Sequence, residues 1–356
     1  MKKFFAILFA VTALVAVSCQ KPAGNNTPSD QQSQVDLTEL DALITECEAL
    51  ANAATTDDYP QAAIDAFKGV ISDVKEAAKA ATSQTVVTSL VARLKEAKAT
   101  FLAAELDTIP ADAVTFALSF DEGTGTELKT TGKYQWTAKL EEGAKELFPD
   151  TKLPEFVEGK VGKAMHFADA SHLSIADYIP AALGGSAISI SCWVKPDELR
   201  ASNYIVSYQS WHVWKFQTQD GGKPFFTLAT DKGITDMDNE TDGSVEVGKW
   251  AHLVVSWGND TGDVNMYVNG ALTKTWKGTE DHGGNHGPGA VIRDPEEAAI
   301  LELAIGSDET INMKRGTENA EISAWDAYFH GAIDELAVYN VALTQGQVSK
   351  LYNSQK

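Results

Sequence analysis

Three cysteines in 356 residues are too few for a disulfide framework, and no Cys/His cluster has the spacing of a zinc ligand set. Basic residues are also scarce: 29 lysines and arginines face 50 aspartates and glutamates, a formal net charge of −21. Such a surface repels polyanions, which excludes nucleic acid as a partner and favours neutral or cationic ones, or calcium. No second apolar run follows the one at the start of the chain, so nothing downstream reads as a spanning helix. Catalytic signatures are missing too: there is no Gly-x-Ser-x-Gly elbow, no His-Glu-x-x-His pair and no phosphate loop. A retaining glycosidase on a β-scaffold needs two carboxylates on one strand face, as in Glu-x-Asp-x-Glu, and no strand carries that alternation. The acidic stretch from Asp238 to Asp242 reads instead as a solvated hairpin tip. The chain is read as a non-enzyme.

What is present begins with Lys2 and Lys3, followed by an apolar run from Phe4 to Val17. This is the charged and short apolar pair of regions of a secretory signal, residues 1–18. Ala16-Val17-Ser18-Cys19 resembles the lipobox of bacterial lipoproteins, with Ala16 where leucine is usual. The resemblance implies cleavage before Cys19 and lipidation of that residue; an ordinary signal peptide ending near a chance cysteine is the alternative. Acyl chains contribute about 0.8 kcal/mol per buried CH₂, so two or three anchor a protein without any spanning helix. The expected location is the cell envelope, as an outer-membrane lipoprotein on either the periplasmic or the surface face. Residues 19–35, rich in Pro, Gly, Asn, Ser and Gln, read as a disordered tether.

Residues 36–108 are Ala-rich and repeat apolar side chains at three-and-four spacing: Leu37, Leu40, Leu43, Ile44, Cys47 and Leu50, then Ile64, Phe67, Ile71 and Val74, then Val87, Leu90, Leu94 and Phe101. Pro60 suits a first helical turn and Ser83 an N-cap, so three antiparallel helices are expected. The segment from Asp41 to Leu106 looks like the small three-helix modules of bacterial surface proteins, a spacer or docking unit. Cys47 and Cys192 both lie on apolar faces and are expected to be buried thiols.

After Ile109-Pro110 the period changes to 2. Val114, Phe116, Leu118 and Phe120 alternate with other residues, as do Ile188, Ile190, Cys192 and Val194, and Leu253, Val255 and Trp257. Asp220-Gly221-Gly222, Asp260-Thr261-Gly262 and Asn269-Gly270 are hairpin turns, so residues 112–356 read as an all-β antiparallel sandwich, closed by a terminal helix from Thr344 to Tyr352. Several segments then follow in order: FDEG from Phe120, GKVGKAMHF from Gly159, ISISCWVKP from Ile188, GKWAHL from Gly248, MYVNG from Met266, LAIG from Leu303 and GAIDEL from Gly331. The series is similar to the concanavalin A-like, laminin-G-type jelly-roll domains of bacterial surface and polysaccharide-handling proteins. The resemblance implies a jelly roll and a structural calcium held by Asp121, the Gly162 carbonyl and Asp334, where the first and last strands meet. The alternative for these residues is that Asp121 caps a turn and Asp334 accepts backbone N–H groups.

Aromatic residues supply the candidate ligand site. Tyr204, Tyr208, Trp211 and Trp214 cluster with His212, and flat rings stack on sugar rings. Strand alternation makes one tryptophan core and the other exposed; Trp211 is expected to be exposed, and Tyr208, Trp211, His212 and Trp214 form the candidate ligand-binding set. Trp193, Trp250 and Trp257 read as core, while Trp276 and Trp325 border loops. The segment from Gly278 to Gly289, with His282, His286 and five glycines, reads as a mobile surface loop rather than a metal site. The leading function is a non-catalytic lipoprotein that binds a glycan or polysaccharide. The alternatives are a protein-interaction or structural module of an outer-membrane complex and, less favoured, a divergent glycoside hydrolase.

Overall fold

The computed structural model describes residues 35–56, 58–145, 147–240, 242–294, 302–308 and 328–356, without the side chain of Trp211. The expected leader, Cys19, the tether through residue 34 and Trp325 lie outside the described residues. Among the described residues no helix is long and apolar enough to cross a membrane.

Three helices open the described chain: α1 (Thr38–Ala53), α2 (Gln61–Lys79) and α3 (Gln84–Leu102). Each buries one stripe, Leu40, Leu43, Ile44 and Cys47 in α1, Ile64, Phe67, Ile71 and Val74 in α2, and Val87, Leu90, Val91, Leu94 and Phe101 in α3. Pro60 sits at the N-cap of α2, its ring fixing φ at −58°, and the Ser83 hydroxyl accepts from the Val86 N–H to cap α3. The Phe101 ring stacks between Tyr59 (4.2 Å between centroids) and Phe67 (4.5 Å). Ion pairs such as Lys95–Glu39 and Arg93–Asp73 tie the helices at the surface, where they contribute little.

The rest is two eight-stranded antiparallel sheets packed face to face. Sheet 1 has the order β14-β13-β12-β7-β16-β5-β4, with β1 also paired to β16. Its strands are β1 (Val114–Leu118), β4 (Glu155–Glu158), β5 (Lys163–Phe167), β7 (Ala187–Pro196), β12 (Ala251–Gly258), β13 (Val264–Val268), β14 (Ala271–Trp276) and β16 (Gly331–Tyr339). Sheet 2 has the order β11-β10-β9-β8-β15-β6-β3-β2. It consists of β2 (Glu127–Lys129), β3 (Thr137–Glu141), β6 (His172–Ile175), β8 (Asn203–Tyr208), β9 (Trp214–Thr218), β10 (Pro224–Thr230), β11 (Gly233–Asp238) and β15 (Leu303–Ile305). Inward residues of both sheets, among them Phe116, Ile190, Trp214, Phe216, Phe226 and Trp257, form one core. Cys192 belongs to that core and Cys47 to the helical one; both thiols are free, and burial pushes both up in pKa.

The outer face of sheet 1 is covered by a last helix, α4 (Gln345–Gln355), opened by a capping box between Thr344 and Gln347. Val348 of this helix packs in one buried cluster with Val254, Tyr267, Tyr339 and Leu343. Gly270 is required here, because a Cβ at its φ of +78° would lie 2.8 Å from the Tyr352 ring. The same helix reaches the bundle: Lys350 pairs with Asp58 at 3.2 Å, and Asn353 donates to the Thr56 carbonyl at 2.8 Å.

Candidate functional site

Trp214 lies directly opposite both Tyr208 on β8 and Leu228 on β10, which turns all three side chains inward. Tyr208 and Trp214 are fully buried core residues and not a presented stacking surface, which corrects the expectation for both. His212 is exposed on the short 3₁₀ turn Ser210–His212 between β8 and β9. That turn is entered through Gln209 (φ 51°) and Ser210 (φ 45°), two non-glycine residues in the left-handed region. The Trp211 side chain lies outside the described residues.

The other tryptophans divide differently from expectation. Trp257 is in the inter-sheet core, whereas Trp193 is buried on the opposite side of sheet 1, stacked on Tyr352 and donating to Gln355 at 3.0 Å. Trp250 is only half-buried, with the Lys195 ammonium over its ring, so the core assignment fails there. Trp276 is half-buried and donates to the Asp238 carbonyl. The glycine-rich segment is anchored rather than loose. His286 is buried and bonded to the Gly262 carbonyl at 2.7 Å, and its own carbonyl accepts from the Trp257 indole. Glycine is what permits this: a Cβ at Gly278 would meet Gly262 backbone at 2.6 Å.

The chain-end junction forms around a bulge in β16 between Asp334 and Ala337, with Glu335 at a φ of 48°. The Asp334 carboxylate is fully buried. Its Oδ2 accepts from the Lys160 and Val161 N–H groups (2.7 and 2.9 Å) and its Oδ1 from Glu335 (2.8 Å). Asp121 accepts from the Lys163 N–H at 2.8 Å and lies so close over Gly162 (φ +51°) that a Cβ there would be 2.0 Å from its oxygen. The Gly162 carbonyl accepts from Gly159. The structure thus brings Asp121, Gly162 and Asp334 together, with Glu335 as an acid that sequence reading missed. Burial, partly offset by the three N–H donors, pushes the Asp334 pKa up to about 6; burial and then repulsion from Asp334 and Asp121 push Glu335 to about 7. Among the described residues no group of three His, Cys, Asp or Glu side chains has metal-holding spacing, so a cation here would rely on main-chain oxygens as well. An all-oxygen donor set with crowded carboxylates fits a hard cation.

The outer face of sheet 2 shows an arrangement that no single strand announces. In register, Asp236, Thr227, Lys215, Ser207, Ala304, Ser174, Lys139 and Glu127 form one row across all eight strands. Asp238, Phe225, Gln217 and Tyr204 form a shorter row beside it. Lys215 is 2% exposed and Thr227, Ser207 and Ala304 are buried, so the middle of the row is covered, whereas Asp236, Lys139 and Glu127 at its ends are exposed. The Lys215 ammonium donates to the Tyr204 hydroxyl at 2.6 Å and lies over the Tyr204 and Phe225 rings. Burial lowers the Lys215 pKa to about 8, against the opposing pull of Asp236 and Asp308. An open cleft of about 490 Å³ beside β3, bordered by Lys139, Glu141 and Lys145, adjoins the row's far end.

Residues 167–349, just over half of the chain, match the family model of the concanavalin A-like lectin/glucanases superfamily. The chain belongs to that superfamily. Among solved structures, domain 4 of AbnA, a GH43 extracellular arabinanase from Geobacillus stearothermophilus in complex with arabinotriose, is 20% identical with a TM-score of 0.46; the match covers 68% of this chain and 99% of that one. The binding domain of botulinum neurotoxin DC appears in complex with SialylT (12% identity, TM-score 0.45) and with rat synaptotagmin II (12%, 0.44). Each toxin match covers 69% of this chain, which spans about half of the toxin binding domain (52 and 53%). No curated protein matches the chain.

Proposed function

We propose that this superfamily member is a non-catalytic glycan-binding lipoprotein of the cell envelope. The observation that carries the glycan reading is the polar row on the outer face of sheet 2, exposed at Asp236, Lys139 and Glu127, with the half-buried Phe225 ring beside it. Tyr204 is 4% exposed and offers no open ring face, so the half-buried Phe225 ring is the one available to stack on an apolar sugar face, beside donors and acceptors for its hydroxyls. Binding is favoured over hydrolysis because Asp236 is engaged by the Thr227 hydroxyl and Asp238 by Lys223, leaving neither as an uncommitted acid or base. Calcium held by Asp121, the Gly162 carbonyl and Asp334 would neutralise the junction's crowded carboxylates and pin the first and last strands together. Lipidation at Cys19 would tether the assembly to the outer membrane, with the helical bundle as spacer.

A glycan array probed with the purified protein and with its Lys215→Met and Tyr204→Phe variants tests the reading. The expected result is binding to a restricted set of glycans, weakened at least tenfold by Lys215→Met. A blank array from folded protein, or binding indifferent to both substitutions, would sink it. The blank would shift weight to a protein partner in an outer-membrane complex.

A further inference from the structure

A cavity of about 360 Å³ lies on sheet 1, between β1, the bulged part of β16 and the C-terminal end of α4. Small-molecule sites run from about 300 to 1,000 Å³, so it has room for a small organic guest. Thr131 and Gly132 form one wall. Main-chain bonds fix that wall: Thr131 and Ala117 exchange N–H···O contacts at 2.9 Å each, and the Lys133 N–H reaches the Val114 carbonyl at 2.9 Å. Glu335, Ala337 and Tyr339 of β16 and Gln355 of α4 form the other.

The polar groups on this lining accept more than they donate. Glu335 brings a carboxylate, and Ser119, Thr131 and Tyr339 bring hydroxyls; no described side chain of the lining carries an ammonium, guanidinium or imidazole. The Gln355 amide already donates to Glu335 Oε2 at 2.9 Å, and its oxygen is taken by the Trp193 indole. Glu335 Oε1 is left without a hydrogen bond among the described residues, and so is the Tyr339 hydroxyl. Tyr339 is only 3% exposed, and burial and then the Glu335 charge push its hydroxyl upward in pKa, so the two oxygens feel one another. A half-buried carboxylate with an open oxygen calls for a cation that only donates. One carboxylate and a few neutral oxygens are too few for a divalent metal, which takes six to eight oxygen ligands. With Oε2 engaged, the two-pronged grip of a guanidinium is also blocked, whereas an ammonium needs only single acceptors around it. Val114, Ala117 and Ala337, which pack in the cluster of Tyr339, offer contact to a methylene chain.

We infer that this cavity binds a primary ammonium on an unbranched alkyl chain, a free amine or a lysyl side chain, with the ammonium between Glu335 Oε1 and the Tyr339 hydroxyl. A chain with a net charge of −21 attracts such cations to its whole surface, and the cavity is where one would be held. The inference rests neither on glycan binding at sheet 2 nor on calcium at Asp121 and Asp334.

Saturation-transfer NMR on the purified protein at about pH 8, in chelator, tests it with butylammonium and acetyl-lysine amide against butanol and acetyl-norleucine amide. Thr131 is exposed at the cavity wall, so Thr131→Trp fills the space without disturbing the core. At least one of the two amines is expected to receive saturation while its uncharged counterpart does not. Transfer to both amines marks a site for free amines, and transfer to the lysine amide alone marks a polypeptide as the source. The signal should vanish in Thr131→Trp, fall at least tenfold in Glu335→Gln and weaken several-fold in Tyr339→Phe. No transfer to either amine, equal transfer to butanol, or a signal that survives Glu335→Gln as surface adsorption would do, overturns the assignment. Should Glu335→Gln fail to fold, an amine signal undiminished in Tyr339→Phe overturns it instead.

Discussion

Asp334 and Glu335 are adjacent acids held where water cannot fully solvate either, with Asp121 facing both. Their pKa values, about 6 and about 7, lie above the ordinary 3.8 and 4.5, so folding favours their protonated forms. The stability they contribute is complete below about pH 4 and is lost as pH rises through 6 and 7. A cation at this junction would act against that loss, because it favours the ionised carboxylates. Melting temperature measured with calcium and with chelator should therefore differ little at pH 5 and most at pH 8, with Asp334→Asn abolishing the difference. A melting temperature indifferent to calcium at pH 8 would remove the ion from this account. The convergence of Asp121, Gly162 and Asp334 was legible in the sequence through the resemblance, but the third acid was not. Glu335 joins them only because a bulge breaks the alternation of β16, and a bulge leaves no period to read. Tyr208 and Trp214 misled for the opposite reason: aromatic clustering reads the same whether rings face a ligand or each other, and only cross-strand pairing decides.

Helices and strands were easier to anticipate than the surfaces they make. Periods of 3.6 and 2 located the helices and the inward strand faces, because each element buries a single stripe of apolar side chains. The polar row on sheet 2 was hidden, since each strand contributes one or two of its members and strand order is not written in any local pattern. The Gly278–Gly289 segment was misjudged because glycine signals looseness locally, yet here it allows backbones to touch. In the bundle, Phe101 joins α3 to α2 and to the Tyr59 turn through two ring stacks. Phe101→Ala should cost about 3–5 kcal/mol, which a bundle near the lower size limit for a self-sufficient core cannot absorb. Circular dichroism should show most helical signal melting early while the near-ultraviolet signal of the sandwich tryptophans persists. A single cooperative transition for both signals would mean instead that α4, which contacts both, makes them one unit.

Across the whole molecule, the proposed lipid anchor makes the simplest prediction: Cys19→Ser should move the protein from the membrane fraction to the soluble one. Retention on the membrane would show that something other than an acyl chain holds it there. The placement of β16 has a different consequence, one of timing. The last strand made is central to its sheet, between β7 on one side and β5 and β1 on the other. Until it arrives, a growing chain carries a gap through sheet 1, with one edge of β7, of β5 and of β1 unpaired. Sheet 1 closes only when β16 pairs with strands far from it in sequence, and contacts of such long separation are slow to form. A chain stopped before Gly331 would present unpaired edges and should aggregate.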